Sequence, residues 1–512
     1  MKATNKKSKV YLVGAGPGRM DLITVRGLEL LKTADCVIYD KLANPGLIKY
    51  ARPDAELIAT PKRVGDESFT QQQINNLLLE KAAEGKTIVR LKGGDPYIFG
   101  RGTEEAKALA DAGIDFEVVP SVTAAIAASA YAGIAITDRN FASEVIFVTG
   151  HEAEGKENTS IDWVLLARFS GTIVFYMGMS NLKSIANRLI ENGMAPATPA
   201  AVVADATLPT QRGVKATIAT IADVCEKEKI GAPALVFIGQ TAKGDSRLEW
   251  LTKWPLLGKT IVVTRDVAGN AESAAKIADK LAIPIELPVS RIKSRADSND
   301  FIKTLSQIHS YHWTIFTSPN GVEIFFSELA KLNKDARVFG PAKIAAIGSE
   351  TAASLAHCGL KADFVPAEFT SKDLAKGLTE STNLRGQKIL LLRSRLASDD
   401  LPQLLENAGA VVDNVPVYTH EKNLCDLKRL SEMLTEKKVR WITFASPFAC
   451  TCFFEQIPVD FVKSGNARVA SIGPVTSKKL VELGVKVDIE ASEHTIDGLI
   501  CAIEQYESRI ND

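Results

Sequence analysis

Short apolar runs alternate with stretches whose apolar positions recur at helical spacing, and the alternation continues along the whole chain. Apolar runs bounded by glycine or polar residues read as buried strands, whereas a three-to-four spacing marks one helix face. Val10–Val13, Cys36–Tyr39, Thr87–Leu91, Phe116–Val119, Val145–Thr149, Thr172–Tyr176, Pro199–Val203 and Ala234–Ile238 are the strands predicted in the first half. Leu22–Thr33, Gln71–Glu84 and Thr103–Ala112 are predicted helices. Strands and helices in alternation predict an α/β fold.

The pattern changes after Gly239-Gln240. Leu248–Gly258, with Trp250, Trp254 and Pro255, reads as a connector, and Thr260–Thr264 begins a fresh strand, which places a boundary near Asp245–Gly258. The second half then repeats itself. Lys259–Arg265 matches Lys388–Arg393, and Pro288 follows Arg265 at the spacing with which Pro416 follows Arg393. Ile315–Pro319 matches Thr443–Pro447, and Ile344–Gly348 matches Val469–Gly473. Thr370 follows Gly348 as Thr495 follows Gly473. Two similar lobes facing a cleft are expected, and such clefts are preferred ligand sites.

At 512 residues the chain exceeds one ordinary core. Its 61 basic and 61 acidic residues give no general attraction to nucleic acid or membrane, so an anionic substrate must be held by local clusters. Seven scattered cysteines argue against a disulfide framework and for a reducing compartment. Cys450-Thr451-Cys452 lacks metal-ligand spacing, and no metal is expected. The apolar run after Lys2, Lys6, Lys7 and Lys9 is too short for a signal core, so the cytoplasm is the expected location.

Two glycine turns carry the candidate chemistry. Gly14-Ala15-Gly16-Pro17-Gly18 follows one predicted strand, and Gly93-Gly94-Asp95 follows another and leads to Arg101, Glu104 and Glu105. Glycine at a strand end allows a sharp turn and close approach to a ligand. The first turn alone is compatible with a dinucleotide, a nucleotide-type methyl donor or a plain connection. Pro17 removes a backbone donor from it, which suits a phosphate cradle poorly.

Taken with Asp21–Thr24, Tyr39-Asp40, Leu42 and the whole of Gly93–Gly102, these turns resemble the tetrapyrrole methyltransferase family. Arg101–Glu105, Ala130–Ile134 and Gln211-Arg212 look most like uroporphyrinogen-III C-methyltransferase, over roughly residues 8–245. The resemblance implies a two-lobed class III methyltransferase domain, S-adenosylmethionine as donor and two successive C-methylations giving precorrin-2. By similarity Pro17, Gly93, Gly94, Asp95, Ile98, Thr123, Ala124, Met177 and Ala206 should line the donor site, although Met177 would also suit core packing. Asp40 and Lys62 are the acid/base candidates, with Arg101 and Glu104 near the reacting ring; Glu104 would equally cap a helix beginning near Thr103. Lys62, Arg63, Arg101, Arg139 and Arg212 are sensible partners for the acceptor's carboxylates. Ser121, Asp138 and Ala206 depart from the family's usual residues.

Residues 259–508 resemble uroporphyrinogen-III synthase through Thr264-Arg265, Phe316–Asn320, Ile347–Thr351, Arg393, Tyr418, Phe444–Ser446 and Ile472–Thr476. The resemblance implies flavodoxin-like parallel-sheet lobes, about 259–288 plus 420–508 and about 289–419, joined to the first domain by a linker at 246–258. It also implies closure of hydroxymethylbilane with inversion of the last ring, without cofactor. Ser318, Thr351, Ser446 and Thr476 fall at repeat-equivalent turns, where hydroxyls bind carboxylates or cap helices. Arg393 joins them as a substrate-binding candidate, and Tyr418 is the candidate to assist loss of hydroxyl as water.

The expectation is a bifunctional tetrapyrrole enzyme acting on small molecules, without nucleic-acid or membrane partners, dimeric through its methyltransferase domain. A methyltransferase for another corrin intermediate, or a second half that binds a tetrapyrrole without turning it over, are the rival readings.

Overall fold

The computed structural model describes residues 8–60, 69–150, 160–295, 298–425, 427–463, 465 and 467–511. They form four five-stranded sheets. The chain divides into two compact units, one running to Lys259 with Ala278–Ile283 and the chain end from Glu507, the other comprising Thr260–Ile277 and Pro284–Tyr506.

The first sheet contains β1 (Lys9–Gly14), β2 (Cys36–Asp40), β3 (Glu56–Thr60), β4 (Thr87–Lys92) and β5 (Asp115–Val119). Their order is β3-β2-β4-β1-β5, and every pairing is parallel. Parallel strands are covered on both faces, which is why the central ones are nearly continuous in apolar residues. Val13, Val37, Val89 and Leu91 pack with Leu30 and Leu31 of α1 (Val25–Thr33) on one face. Leu12, Ile38 and Ile88 pack on the other with Ile74 and Leu78 of α2 (Gln71–Ala83) and Leu109 of α3 (Gly102–Asp111). The helix α4 (Ala124–Ala132) follows β5 and covers the second sheet through Ala125 and Ala128.

That second sheet, β6 (Val145–Thr149), β7 (Thr172–Tyr176), β8 (Pro199–Ala204), β9 (Arg212–Thr217) and β10 (Ala234–Ile238), has the order β6-β7-β10-β8-β9 and is mixed. β10 runs antiparallel to both β7 and β8.

The second unit begins with β11 (Thr260–Val263) and β12 (Ile283–Glu286). The chain then builds a separate sheet from β13 (Ser290–Ser294), β14 (Trp313–Phe316), β15 (Lys343–Ala346), β16 (Lys388–Ser394) and β17 (Val411–Lys422), ordered β13-β17-β16-β14-β15. It returns to the first lobe as β18 (Trp441–Phe444), β19 (Arg468–Ser471) and β20 (Ile489–Glu490), giving β12-β11-β18-β19-β20. This second order is the 2-1-3-4-5 winding of flavodoxin-like sheets. β13 lies antiparallel to β17, with Ser294 opposite Tyr418, so the chain passes between lobes on two paired strands. Asn423 fastens the crossing: its backbone N donates to Val289 O at 2.9 Å and its Nδ2 to Pro288 O at 2.6 Å.

Residues 246–258 pack closely against the first unit. Trp250 Nε1 donates to Ala130 O at 2.9 Å, and its ring meets Tyr131 at 5.0 Å and Trp254 at 5.7 Å. The Arg19 guanidinium lies over Trp254 at 5.4 Å. Leu251 and Leu256 are buried. Truncating a buried leucine to alanine costs about 2–5 kcal/mol, so Leu256→Ala is expected to lower the calorimetric midpoint of the full-length chain, and an unchanged midpoint would show that this segment is only a tether.

Candidate active sites

Parallel α/β sheets place ligands at the carboxyl ends of their strands. At that edge of the first sheet β1 and β4 are neighbours, with Gly14 opposite Lys92. The loops beyond them stay together: Ala15 N donates to Lys92 O at 2.7 Å, Gly16 N to Gly94 O at 3.3 Å, and Gly94 N to Gly16 O at 2.8 Å. Gly16 and Gly94 have φ of +78° and +67°, the region that glycine enters without a Cβ penalty. A Cβ on Gly14 would stand 2.5 Å from Ser121 Cβ, and one on Gly93 would stand 2.8 Å from Leu42 Cβ. Four strand-end loops therefore meet here.

Asp95 ties two of them. Its Oδ1 accepts from Tyr97 N at 2.9 Å and its Oδ2 from Ser121 N at 3.0 Å. Thr123, the N-cap of α4, lies 2.7 Å from the Tyr176 hydroxyl, which also accepts from Ala125 N at 3.1 Å. Burial pushes the Tyr176 phenol up. Tyr97, Ile98, Phe99 and Met177 expose apolar side chains above this floor, and the Phe99 and Tyr176 rings are 4.9 Å apart. Met177 is half exposed, so it does not serve as core packing. On the far side Arg19 N donates to Thr207 Oγ1 at 3.0 Å, and a Cβ on Gly18 would stand 3.1 Å from the same oxygen, which brings the loop carrying the half-buried Ala206 against Gly18. Phe99, Arg101, Met177, Asp205 and Thr207 all have positive φ, and strained backbone of this kind concentrates at ligand sites.

In the second unit Ser318 caps the helix Pro319–Lys331, accepting from Gly321 N at 3.1 Å, and its Oγ lies 2.9 Å from the Tyr418 hydroxyl. Ser446 caps Pro447–Phe454 in the same way through Ala449 N at 3.1 Å. Thr351 and Thr476 sit in the first turns of their helices and are buried. Gly348 and Gly473 precede those turns, and a Cβ there would meet the Phe369 ring at 2.9 Å and the His494 ring at 2.8 Å respectively. Tyr418 is 4% exposed, and burial raises its phenol above the usual range. Arg393, at the end of β16, is 3% exposed, with its Nη2 donating to the Ser398 carbonyl; burial lowers the guanidinium despite Asp399 and Asp400 nearby.

Residues 9–222 match the family described as Tetrapyrrole (Corrin/Porphyrin) Methylases, and residues 271–501 match Uroporphyrinogen-III synthase HemD. Over 494 residues the chain is 36% identical to the Porphyrin biosynthesis protein HemD of Ruminiclostridium josui, covering 96% of each. The chain belongs to the family that fuses a tetrapyrrole methylase to a uroporphyrinogen-III synthase. Its methylase half is 47% identical over 231 residues to the S-adenosyl-L-methionine-dependent uroporphyrinogen III methyltransferase of Methanosarcina barkeri, covering 45% of this chain and 91% of that protein. The chain as a whole is 38% identical over 354 residues to the Uroporphyrinogen-III C-methyltransferase of Bacillus subtilis, covering 69% of this chain and 72% of that protein.

The glycine turns of the methylase fit S-adenosylmethionine. A Cβ placed on Gly94 would find only Ala124 N, at 3.9 Å, so this glycine opens a backbone-lined cradle between the loops. Arg101 and Glu104 lie beside it but hold each other, Arg101 donating Nε and Nη2 to the two Glu104 oxygens at 2.7 Å each, with both side chains half exposed. Arg101 itself is the N-cap residue of α3, without a side-chain cap. Arg139 is exposed. Arg212 lies on the edge strand β9 and donates Nη2 to Glu228 O at 2.7 Å. Lys62 and Arg63 lie outside the described residues.

Three features of the fused enzyme escape sequence reasoning. Arg90 and Lys92 are buried at the end of β4 with Glu105 of α3, and Arg90 reaches Asp40. Their signal was two charged residues at alternate positions in a strand buried on both faces. Burial, together with the Arg90 charge, pushes the Lys92 ammonium down. In the sequence Tyr176 marks only the end of a predicted strand. His420, two residues beyond Tyr418, brings its ring within 5.4 Å of that tyrosine and 5.9 Å of Phe448, and burial lowers its imidazole.

Tyr176→Phe removes the acceptor for Ala125 N and the partner of Thr123. Losing hydrogen bonds of this kind costs about 1–2 kcal/mol, so S-adenosylhomocysteine binding measured by calorimetry is expected to weaken by roughly tenfold. Unchanged affinity would remove Thr123 and Ala124 from the donor site.

Proposed function

We propose that the synthase half closes hydroxymethylbilane to uroporphyrinogen III with inversion of the last ring, and that the methylase half adds methyl groups at C2 and C7 to give precorrin-2. The observation that carries this reading is the joining of both families in one chain, where the product of one half is the acceptor of the other. The bounds in this reading are 8–245 for the methylase, 246–258 for the connector and 259–508 for the synthase. The enzyme works as a cytoplasmic homodimer through its methylase domain, and the synthase half uses no cofactor.

When bound, S-adenosylmethionine supplies a methyl group activated as a sulfonium. Pro17, Gly93, Gly94, Asp95, Ile98, Thr123, Ala124, Met177 and Ala206 line its site, with the Gly94 cradle admitting the donor close to the backbone. Such positioning of donor against acceptor supplies much of the rate. Each transfer makes a carbon–carbon bond, releases a neutral thioether and leaves one proton to be taken from the tetrapyrrole. Asp40, whose side chain is 30% exposed, takes that proton, with Lys62 as its acid/base companion. Arg101, Arg139 and Arg212 hold acceptor carboxylates, and Glu104 orients Arg101 through the paired hydrogen bonds between them.

In the synthase Tyr418 donates its hydroxyl proton to the leaving hydroxyl, so a carbon–oxygen bond breaks and water departs. Closure then forms a carbon–carbon bond to the last ring, inversion breaks that ring's original bridging carbon–carbon bond and remakes it at the ring's other free carbon, and one proton returns to the phenolate. Burial keeps the phenol protonated for this role, and Ser318 fixes its direction. Ser318, Thr351, Arg393, Ser446 and Thr476 bind the substrate's carboxylates.

Incubating the full chain with hydroxymethylbilane and S-adenosylmethionine is expected to give a cyclic product heavier by two methyl groups. A cyclic product without added methyl would refute the methylase reading, and an uncyclised one the synthase reading. General acid–base groups are worth about 10²–10⁴-fold. Tyr418→Phe is therefore expected to slow ring closure by at least about tenfold while supplied uroporphyrinogen III is still methylated, and Asp40→Asn to do the reverse.

A further inference from the structure

The inner end of β4 carries a charge cluster that neither reaction by itself requires. Arg90 and Lys92 are two residues apart and so project to one face of the sheet. They are 1% and 2% exposed, and Glu105 is 0% exposed. Glu105 Oε1 accepts from Lys92 Nζ at 2.8 Å, Arg90 Nε at 3.1 Å and Gln71 Nε2 at 3.4 Å. Arg90 extends past it, donating Nη1 to Ile38 O at 3.4 Å and Nη2 to Asp40 Oδ1 at 2.5 Å. Thr60 Oγ1 lies 3.1 Å from the same Asp40 oxygen and 3.1 Å from Tyr39 O, so its one proton is shared between the two acceptors.

Buried ion clusters add little stability, because desolvation offsets the attraction and apolar side chains of similar volume serve as well. This face of the sheet is otherwise filled by Ile38, Ile74, Leu78, Ile88 and Leu109. The cluster nonetheless has a direction. Its chain of contacts runs from Lys92 through Glu105 and Arg90 and ends on Asp40, the one member with substantial exposure. Both contacts converge on Oδ1, and no described residue bonds Oδ2. Asp40 also lies beside the donor cradle, since Leu42, two residues on, abuts Gly93.

We propose that Arg90 is a positioning residue for Asp40: held from behind by Glu105, it anchors Oδ1 and leaves Oδ2 as the oxygen that takes the proton when the tetrapyrrole carbon is methylated. This rests on the reading of Asp40 as the base. An aspartate at a strand end turns about two side-chain bonds, and a guanidinium with a threonine hydroxyl on one oxygen removes that freedom. Arginine suits the place because its planar fork engages Glu105 and Asp40 from different nitrogens at once, which a lysine ammonium does not do.

The test is a double-mutant cycle in the full-length protein, with methylation of supplied uroporphyrinogen III followed under single turnover. Arg90→Lys and Thr60→Val are each made alone and with Asp40→Asn, and S-adenosylhomocysteine affinity is measured for every variant. Coupled residues depart from additivity; Arg90→Lys is expected to slow methyl transfer by roughly 30-fold and Thr60→Val by about threefold, with ligand affinity within about twofold. In the Asp40→Asn background both losses should shrink to less than about twofold. Equal losses in the two backgrounds would overturn the proposal, as would a loss of donor affinity in place of rate. Should Arg90→Lys not fold, Arg90→Gln takes its place in the same cycle, and an undiminished rate of methyl transfer in that variant denies the anchoring of Oδ1. A full rate in Asp40→Asn alone would instead sink the reading of Asp40 as the base, and so is distinguishable from additivity.

Discussion

The reciprocal backbone bonds between Gly16 and Gly94 are the constraint on which the methylase half depends. Adjacent parallel strands normally send their loops apart toward separate helices. Here the loops after β1 and β4 remain paired beyond the last strand residues, and the positive φ of both glycines makes that possible without strain. The pair fixes a floor onto which the β5 loop is tied by Asp95 and Ser121, while the second sheet supplies Tyr176 to cap α4. The opening at Gly94 and the Asp40–Arg90 cluster both adjoin that floor, so one backbone arrangement holds the loops at the carboxyl ends of β1, β2 and β4 together.

The synthase half reaches comparable order by other means. Its two lobes are each wound from parallel strands, and the chain passes between them on the antiparallel pair β13 and β17. Tyr418 sits on the longer of these strands, where the pairing with β16 shifts register after Arg393, and takes its orientation from the capping Ser318 of a neighbouring helix. A residue on such a crossing is held by main-chain bonds on one side and by a helix terminus on another, which fixes the direction of its hydroxyl.

Much of this was legible in the sequence, for definable reasons. The strands were visible because residues such as Val10–Val13 and Ala234–Ile238 are buried on both faces and so carry continuous apolar runs. The glycine turns were visible because glycine enters positive φ most readily, and at position 16 a Cβ would also stand 2.9 Å from Leu22 O. What could not be read were side-chain partners distant along the chain. Asp95 is expected to line the donor site, and the structure shows its two oxygens accepting from Tyr97 and Ser121, the latter 26 positions away. Glu105 was noted only as part of a charged run, since nothing local shows that α3 turns it inward toward Arg90 and Lys92. The Arg101–Glu104 pair shows the opposite case, where helical spacing alone brings the partners together.

The duplicated turns at Gly348 and Gly473 hold a further consequence. In both lobes the backbone passes so close to a neighbouring ring that no side chain could stand there, yet the ring is a phenyl from Phe369 in one lobe and an imidazole from His494 in the other. The main chain has kept the symmetry of the repeat, while the side chains have abandoned it. One lobe offers an inert wall at this spot and its twin a group able to give or receive a hydrogen bond, so a doubled main chain carries unlike chemistry at its two equivalent turns.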